Sequence, residues 1–142
     1  MLRNLIIGLP VMLLCLSLQA AVSFWTVRYY LRQSDQTSRH HGPVAHIRPL
    51  LIVMIVMMLG NFVQIVIWGT LFLGLGEFSE LYEAVYHSAV NFSSLGYGDV
   101  VMSKRWKLLG PLEAANGVLM FGMTSAALMA ILQQLIKVQL KP

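Results

Sequence analysis

The chain has 142 residues, of which 57% are hydrophobic and 11% are charged, and its formal net charge is +4. Soluble domains carry about 25% charged residues, so this composition excludes an ordinary soluble domain and a disordered chain. The basic residues are spread in small groups, which excludes a nucleic-acid-binding surface, and the single cysteine, Cys15, excludes an internal disulfide.

Three apolar segments are long enough to cross a membrane as helices, which takes about 20 residues. They cover residues 4–27, 49–76 and 108–136. We expect a first transmembrane helix over residues 1–28, bent near its outer end by Pro10. A cleaved signal peptide is the alternative for this segment. The apolar run is longer than a signal core, which favours a retained span.

Residues 29–48 are predicted to form a basic cytoplasmic loop, because loops rich in Lys and Arg stay on the cytoplasmic side. This places the N-terminus outside and the C-terminus in the cytoplasm of a plasma (inner) membrane protein that crosses the bilayer several times. The basic residues Lys104, Arg105 and Lys107 count against this orientation. A metal site or a pH sensor at His40, His41 and His46 is the alternative to a solvated loop, and the solvated loop is favoured.

The segment most informative about function follows a short amphipathic stretch, residues 80–94, which is too short to span the bilayer. It contains Gly96-Tyr97-Gly98-Asp99. Glycines adopt positive φ at little cost, so this strand can turn successive carbonyl groups to one side. Four such strands around an axis would form rings of oxygen atoms that replace the hydration shell of a cation.

This segment resembles the pore of a potassium channel, whose filter loop reads TVGYG. Ser94-Leu95-Gly96-Tyr97-Gly98 stands in its place. The resemblance covers residues 49–140 and is to the small bacterial two-helix type, with an extra helix in front. It implies an outer helix over residues 49–76, a pore helix over 80–94, a filter over 94–98 and an inner helix over 110–137. The fold class expected is an all-α membrane protein that assembles as a homotetramer.

The resemblance also implies functions for individual residues. K⁺ would bind the filter through Ser94, Leu95, Gly96 and Tyr97, with Gly98 completing the strand and Asp99 at the outer mouth. The filter departs from the family pattern at Ser94, which keeps the hydroxyl of threonine, and at Leu95, which lacks the branch of valine. His87 and Tyr86 fall where the family places aromatic side chains around the filter, and a packed, neutral side chain is favoured for His87.

The inner helix is predicted from its start signal, Gly110-Pro111-Leu112-Glu113. Gly122 is a candidate gating hinge, although small residues also occur at ordinary helix contacts in membranes. The helical phase from Gly122 places four candidates on the cavity, namely Met123, Ala126, Ala130 and Gln134. Glu113 and Asn116 either bond to the pore helix or, for Glu113, reach the outer interface. Asn61 and Gln64 are expected to link helices.

The sequence therefore predicts a potassium-selective channel that conducts K⁺ down its electrochemical gradient. Its partners would be K⁺ ions, the lipid bilayer and three copies of itself, with no nucleic acid and no cofactor. No enzyme motif is present in the sequence. Three alternatives remain: a non-selective monovalent cation channel of the same architecture, a non-conducting membrane partner subunit, and a two-span protein of inverted topology left by signal cleavage.

Overall fold

The computed structural model describes residues 1–37 and 47–139, and this part of the chain contains four α-helices and no hydrogen-bonded β-strand. They are α1 (Leu2–Thr37), α2 (Ile47–Gly74), α3 (Leu81–Phe92) and α4 (Leu109–Gln139). Helices α1, α2 and α4 are each long and apolar enough to cross a membrane. Helix α3 has 12 residues, a length of about 18 Å, which is too short to do so.

Helix α1 continues past residue 28, where the sequence places the end of the first span, so the segment predicted as a loop begins as helix. The cause is packing, because the Tyr30 side chain is fully buried in a cluster with Val53, Met57 and Ile131. Helix α2 begins at Ile47 and carries Pro49 in its first turn, where a missing N–H breaks no helical bond. The histidines predicted to be solvated, His40, His41 and His46, lie outside the described residues.

The three long helices pack side by side, with α1 against both α2 and α4. The N-terminal end of α1 lies against the turn that precedes α4. There Asn4 Nδ2 donates a hydrogen bond to the Arg105 carbonyl oxygen at 3.1 Å. The Arg3 guanidinium stands 4.5 Å from the centre of the Trp106 ring, within the range of a cation–π contact. Helix α1 is therefore part of the packed bundle along its length.

Helix α3 lies between α2 and α4, and glycines allow the close approach on both sides. A Cβ on Gly69 of α2 would stand 2.9 Å from Val85 Cγ2. A Cβ on Gly117 of α4 would stand 3.0 Å from Phe92 Cα and overlap the Phe92 carbonyl. Neither position has room for a side chain, so these two glycines fix where α3 sits between its neighbours.

Candidate functional site

The strand after α3 is the unpaired segment of residues 94–98, and the sign of φ alternates along it. Ser94, Gly96 and Gly98 have φ of 58°, 59° and 75°, whereas Leu95 and Tyr97 between them keep negative φ. In an ordinary strand all residues have negative φ, and successive carbonyls point to opposite sides. When left-handed residues (positive φ) alternate with right-handed ones (negative φ), successive carbonyls turn toward the same side. The sequence predicts the positive φ of the two glycines, and Ser94 is an addition that it does not predict.

The left-handed Ser94 follows from the way α3 ends. Leu95 N donates to the Val90 carbonyl at 3.0 Å, and Ser94 N donates to the Asn91 carbonyl at 2.8 Å. This pair of bonds is a Schellman motif, in which the residue after the C-cap takes the left-handed conformation. The C-cap residue is Ser93, so Ser94 is the left-handed residue. The end of α3 thus starts the alternation that the two glycines continue.

The strand is uncovered in the single chain. Residues 94–99 are all exposed, with Leu95 at 58% and Tyr97 at 66% of their full accessible surface. A Cβ on Gly96 or Gly98 would meet no atom within 4 Å. An isolated chain therefore supplies one wall of a possible conduit and leaves the strand without a covering element.

Asp99 and Tyr86 link the end of the strand to α3. The Tyr86 hydroxyl donates to Asp99 Oδ2 at 2.6 Å. This bond lowers the pKa of the Asp99 carboxyl and raises the pKa of the Tyr86 hydroxyl, because it stabilises the carboxylate and the neutral phenol. The bond thus ties the residue that follows the strand to the helix that precedes it, within one chain.

His87 carries a second link from α3 to the residues after the strand. Its Nδ1 is 2.9 Å from the Val100 carbonyl oxygen, and its Nε2 is 2.9 Å from Asn91 Nδ2. The carbonyl only accepts and the amide nitrogen only donates, so these contacts require the neutral ring with its proton on Nδ1. Burial lowers the pKa of His87 in agreement with this assignment. The ring packs against Phe72 and Phe78, with centroids 5.7 and 5.1 Å away.

Ser88 joins α3 to both of its neighbours. Its Oγ donates to the Ile65 carbonyl of α2 at 2.7 Å and also contacts Glu113 Oε1 of α4 at hydrogen-bonding range. Glu113 is fully buried, so of the two sequence alternatives the structure shows the bond to the pore helix and not a side chain reaching the interface. Asn116 is fully buried one turn later, beside the Cys15 thiol, which is also buried.

Glu77 ties the segment after α2 to the segment that precedes α4. Its Oε2 accepts from Ser103 N and its Oε1 accepts from Ser103 Oγ, each at 2.6 Å. The basic residues Lys104, Arg105 and Lys107 are exposed in the turn that follows. The loop carboxylate therefore has a local structural partner, and it holds the segment after the strand against the end of α2.

The residues predicted for a hinge and a cavity lie along one part of α4, away from the α3 contact. A Cβ on Gly122 would meet no atom within 4 Å, and Ala126 and Ala130 are exposed. Met123 and Gln134 are half-buried, and Met123 packs against the core cluster to which all four helices contribute. The structure thus leaves the alanines uncovered while it turns Met123 partly inward.

Comparison with known families gives one result. A family model described as an ion channel matches residues 52–134, more than half of the chain. No curated protein and no solved structure matches the chain. The matched region contains nearly all of α2, the whole of α3, the strand of alternating φ and α4 as far as residue 134, whereas α1 lies outside it.

Proposed function

Because this chain belongs to the ion-channel family of the two-helix, potassium-channel-like type, we propose that it forms a potassium-selective pore. The ion passes down its electrochemical gradient through the strand 94–98. The observation that carries this proposal is the alternating sign of φ along that strand. We infer from it that successive backbone carbonyls turn toward one side. Carbonyl oxygens in rings replace the hydration shell of K⁺ in such filters.

A ring needs more than one strand, and we propose a homotetramer. In a lipid environment every backbone polar group has to be satisfied inside the protein or by a water-filled path. The exposed strand of a single chain meets neither condition, and Leu95 and Tyr97 expose most of their surface beside it. Four strands around an axis direct their carbonyls into a hydrated path and cover these side chains at the contacts between chains.

Each part of the site has a function in this mechanism. Ions shed water and bind between rings of carbonyls from Ser94 to Tyr97, and neighbouring ions repel one another onward. Helix α3 ends just before the filter, and its C-terminus carries about half a negative charge, which favours a cation in the cavity below. Gly98 completes the filter strand, and Asp99 lies at its outer mouth. No cofactor and no catalytic group takes part.

A non-selective cation channel of the same architecture is the second candidate, and Leu95 is the observation that favours it. Its side chain is 58% exposed in the single chain, so its packing is set by contacts between chains. Leucine lacks the β-branch that restricts χ1, so it holds the strand less rigidly than valine does. A looser strand admits ions of different sizes.

The test is the reversal potential of the purified chain in planar bilayers, with K⁺ on one side and Na⁺ on the other. We expect a value close to the K⁺ equilibrium potential. Gly96→Ala should abolish the current, because alanine is strained at φ of 59°. Gly74→Ala is the matched control, since Gly74 has open space and no positive φ, and it should conduct normally.

Other outcomes separate the alternatives. A robust current that reverses near zero supports the non-selective channel and points to Leu95. A current that survives Gly96→Ala unchanged contradicts conduction through this strand. The oligomer is tested on the same sample by native mass spectrometry, in which we expect four copies of the 15.9 kDa chain and in which a monomer would contradict the ring.

A further inference from the structure

A cluster of buried amide side chains joins the three long helices at their middle. Gln19 of α1 is fully buried, and its Oε1 accepts from Gln64 Nε2 of α2 at 2.8 Å. Its Nε2 donates to Thr124 Oγ1 of α4 at 2.9 Å. Asn61 Nδ2 also approaches Thr124 Oγ1, at 3.4 Å. The prediction that Asn61 and Gln64 link helices is confirmed by these bonds.

Gln19 stands apart from the other members because it comes from outside the region that matches the ion-channel family. Residues 52–134 include Asn61, Gln64 and Thr124, whereas α1 precedes them. A single side chain of the extra helix therefore bonds to both long helices of the pore region. Helix α1 is fitted closely to α2 here, since a Cβ on Gly60 would stand 3.5 Å from Gln19 Oε1.

The bond between Gln19 and Thr124 matters because of where Thr124 lies in α4. On the N-terminal side of Gly122, α4 is fixed to α3 by the close contact of Gly117 with Phe92 and by the contact of Glu113 with Ser88. Thr124 lies two residues beyond Gly122, and its bond to Gln19 fixes the next part of α4 to α1. Between these two anchors Gly122 has open space beside it. A bend at Gly122 therefore has to break the Gln19–Thr124 bond or move α1.

We propose that Gln19 is a positioning residue for gating, which holds the lower part of α4 through Thr124 and so couples α1 to the inner end of the pore. This inference rests on the proposed channel function. The bond is formed while α4 is one continuous helix from Leu109 to Gln139. It therefore stabilises the unbent helix, and its loss releases the lower part of α4 to move away from the pore axis.

The magnitude follows from measured hydrogen bonds between membrane helices, which average about 0.6 kcal/mol, or about threefold in an equilibrium constant. If four chains move together, the effect is roughly fiftyfold in the ratio of open to closed channels. Gln19→Met removes the bonds to Thr124 and to Gln64 and keeps the length and volume of the side chain. Thr124→Val removes the bond to Gln19 and the approach of Asn61, with almost no change of shape. The Gln19–Thr124 bond is the one that both variants lose.

The experiment records single-channel open probability for Gln19→Met, Thr124→Val and the double variant. We expect each single variant to raise the open probability and the double variant to raise it by less than the two single effects combined, because the shared Gln19–Thr124 bond can be lost only once. Thr26→Val is the control, since within residues 1–37 and 47–139 the Thr26 hydroxyl bonds to the Val22 and Ser23 carbonyls of its own helix and to no other helix. An unchanged or lowered open probability, or fully additive single effects, would overturn the proposal.

A second readout does not depend on current. Spin labels at Trp25 of α1 and Ile136 of α4, both exposed, report the distance between the two helices within one chain after dilution with unlabelled protein. Cys15→Ala removes the native thiol. We expect Gln19→Met and Thr124→Val to lengthen or broaden this distance and Thr26→Val to leave it unchanged. If the distance between the labels changes but no variant conducts, the channel function alone is refuted. If the distance is identical in all variants, the coupling of α1 to α4 through Gln19 is refuted.

Discussion

Ser94 lies between two structural elements, because it follows the C-cap of α3 and begins the strand of alternating φ. Its left-handed φ of 58° closes the Schellman motif and sets the hand from which the alternation starts. The sequence predicts the glycine conformations that follow, since glycine tolerates positive φ. It does not predict the conformation of Ser94, because that depends on the residue at which the helix ends, and helix ends are poorly marked where no glycine follows the cap.

The neutral state of His87 leads to a prediction about pH. Burial disfavours the charged ring and outweighs the Asp99 and Glu77 carboxylates, which favour it, so the pKa lies below its ordinary value of 6.5. Below that pH the unfolded chain takes up a proton that the folded chain excludes. The stability that His87 contributes is therefore complete above pH 6.5 and declines as the pH falls further.

We expect the melting temperature to fall more between pH 7.5 and pH 5 when His87 is present than in His87→Gln. Both proteins carry glutamine at the three loop histidines, His40, His41 and His46, so that only one imidazole differs. Equal falls in the two proteins would show that the ring titrates freely. Nitrogen-15 NMR of the ring gives the tautomer independently and should show the proton on Nδ1.

At the scale of the helices, the lengths of the spans are predictable and their contacts are not. Apolar length alone identifies all three spans, and a short amphipathic stretch identifies α3. Which glycine lies at a helix contact depends on how the helices are rotated against one another. The sequence draws attention to Gly122, whereas the close contact with α3 is made by Gly117. The end of α1 is also missed, since packing of Tyr30 extends the helix beyond the apolar run.

Substitution of these two glycines of α4 by alanine is predicted to change the stability of the protein in opposite directions. Gly117→Ala places a methyl group against the backbone of Phe92 and should lower stability by about 1–3 kcal/mol, the usual cost of overpacking. Gly122→Ala enters open space and should raise helix stability by about 1 kcal/mol. Thermal unfolding in detergent measures both. Equal effects of the two substitutions would contradict the contact between α3 and α4.

At the scale of the whole molecule, the arrangement of the helices bears on topology. Asn4 and Arg3 contact the turn at residues 105–106, so the N-terminus lies at the same end of the bundle as the turn that precedes α4. Charge counting alone is ambiguous here, because Lys104, Arg105 and Lys107 oppose the positive-inside rule. The contact between α1 and this turn does not depend on charge, and it means that the N-terminus and the turn have to lie on the same side of the membrane.

We expect residues 2 and 103 to be labelled from outside the cell and residue 137 to be protected. The measurement uses single cysteines at Leu2, Ser103 and Lys137 in a Cys15→Ala background, with a thiol reagent that does not cross membranes. Lysed cells give the control for reactivity. Labelling at residue 103 but not at residue 2 would mean that the N-terminus lies inside or that the first segment is removed. Either outcome contradicts a retained α1 with its N-terminus outside.

The buried amides also bear on the order in which the chain enters the bilayer. Gln19 leaves the ribosome before either of its partners exists, and an unpaired amide is costly in hydrocarbon. Gln64 is made next, so a helical hairpin closed by the Gln19–Gln64 bond becomes available while α4 is still unsynthesised. Thr124 completes the cluster when α4 arrives. From the order of synthesis we therefore expect α1 and α2 to pair first and α4 to be fitted to that pair.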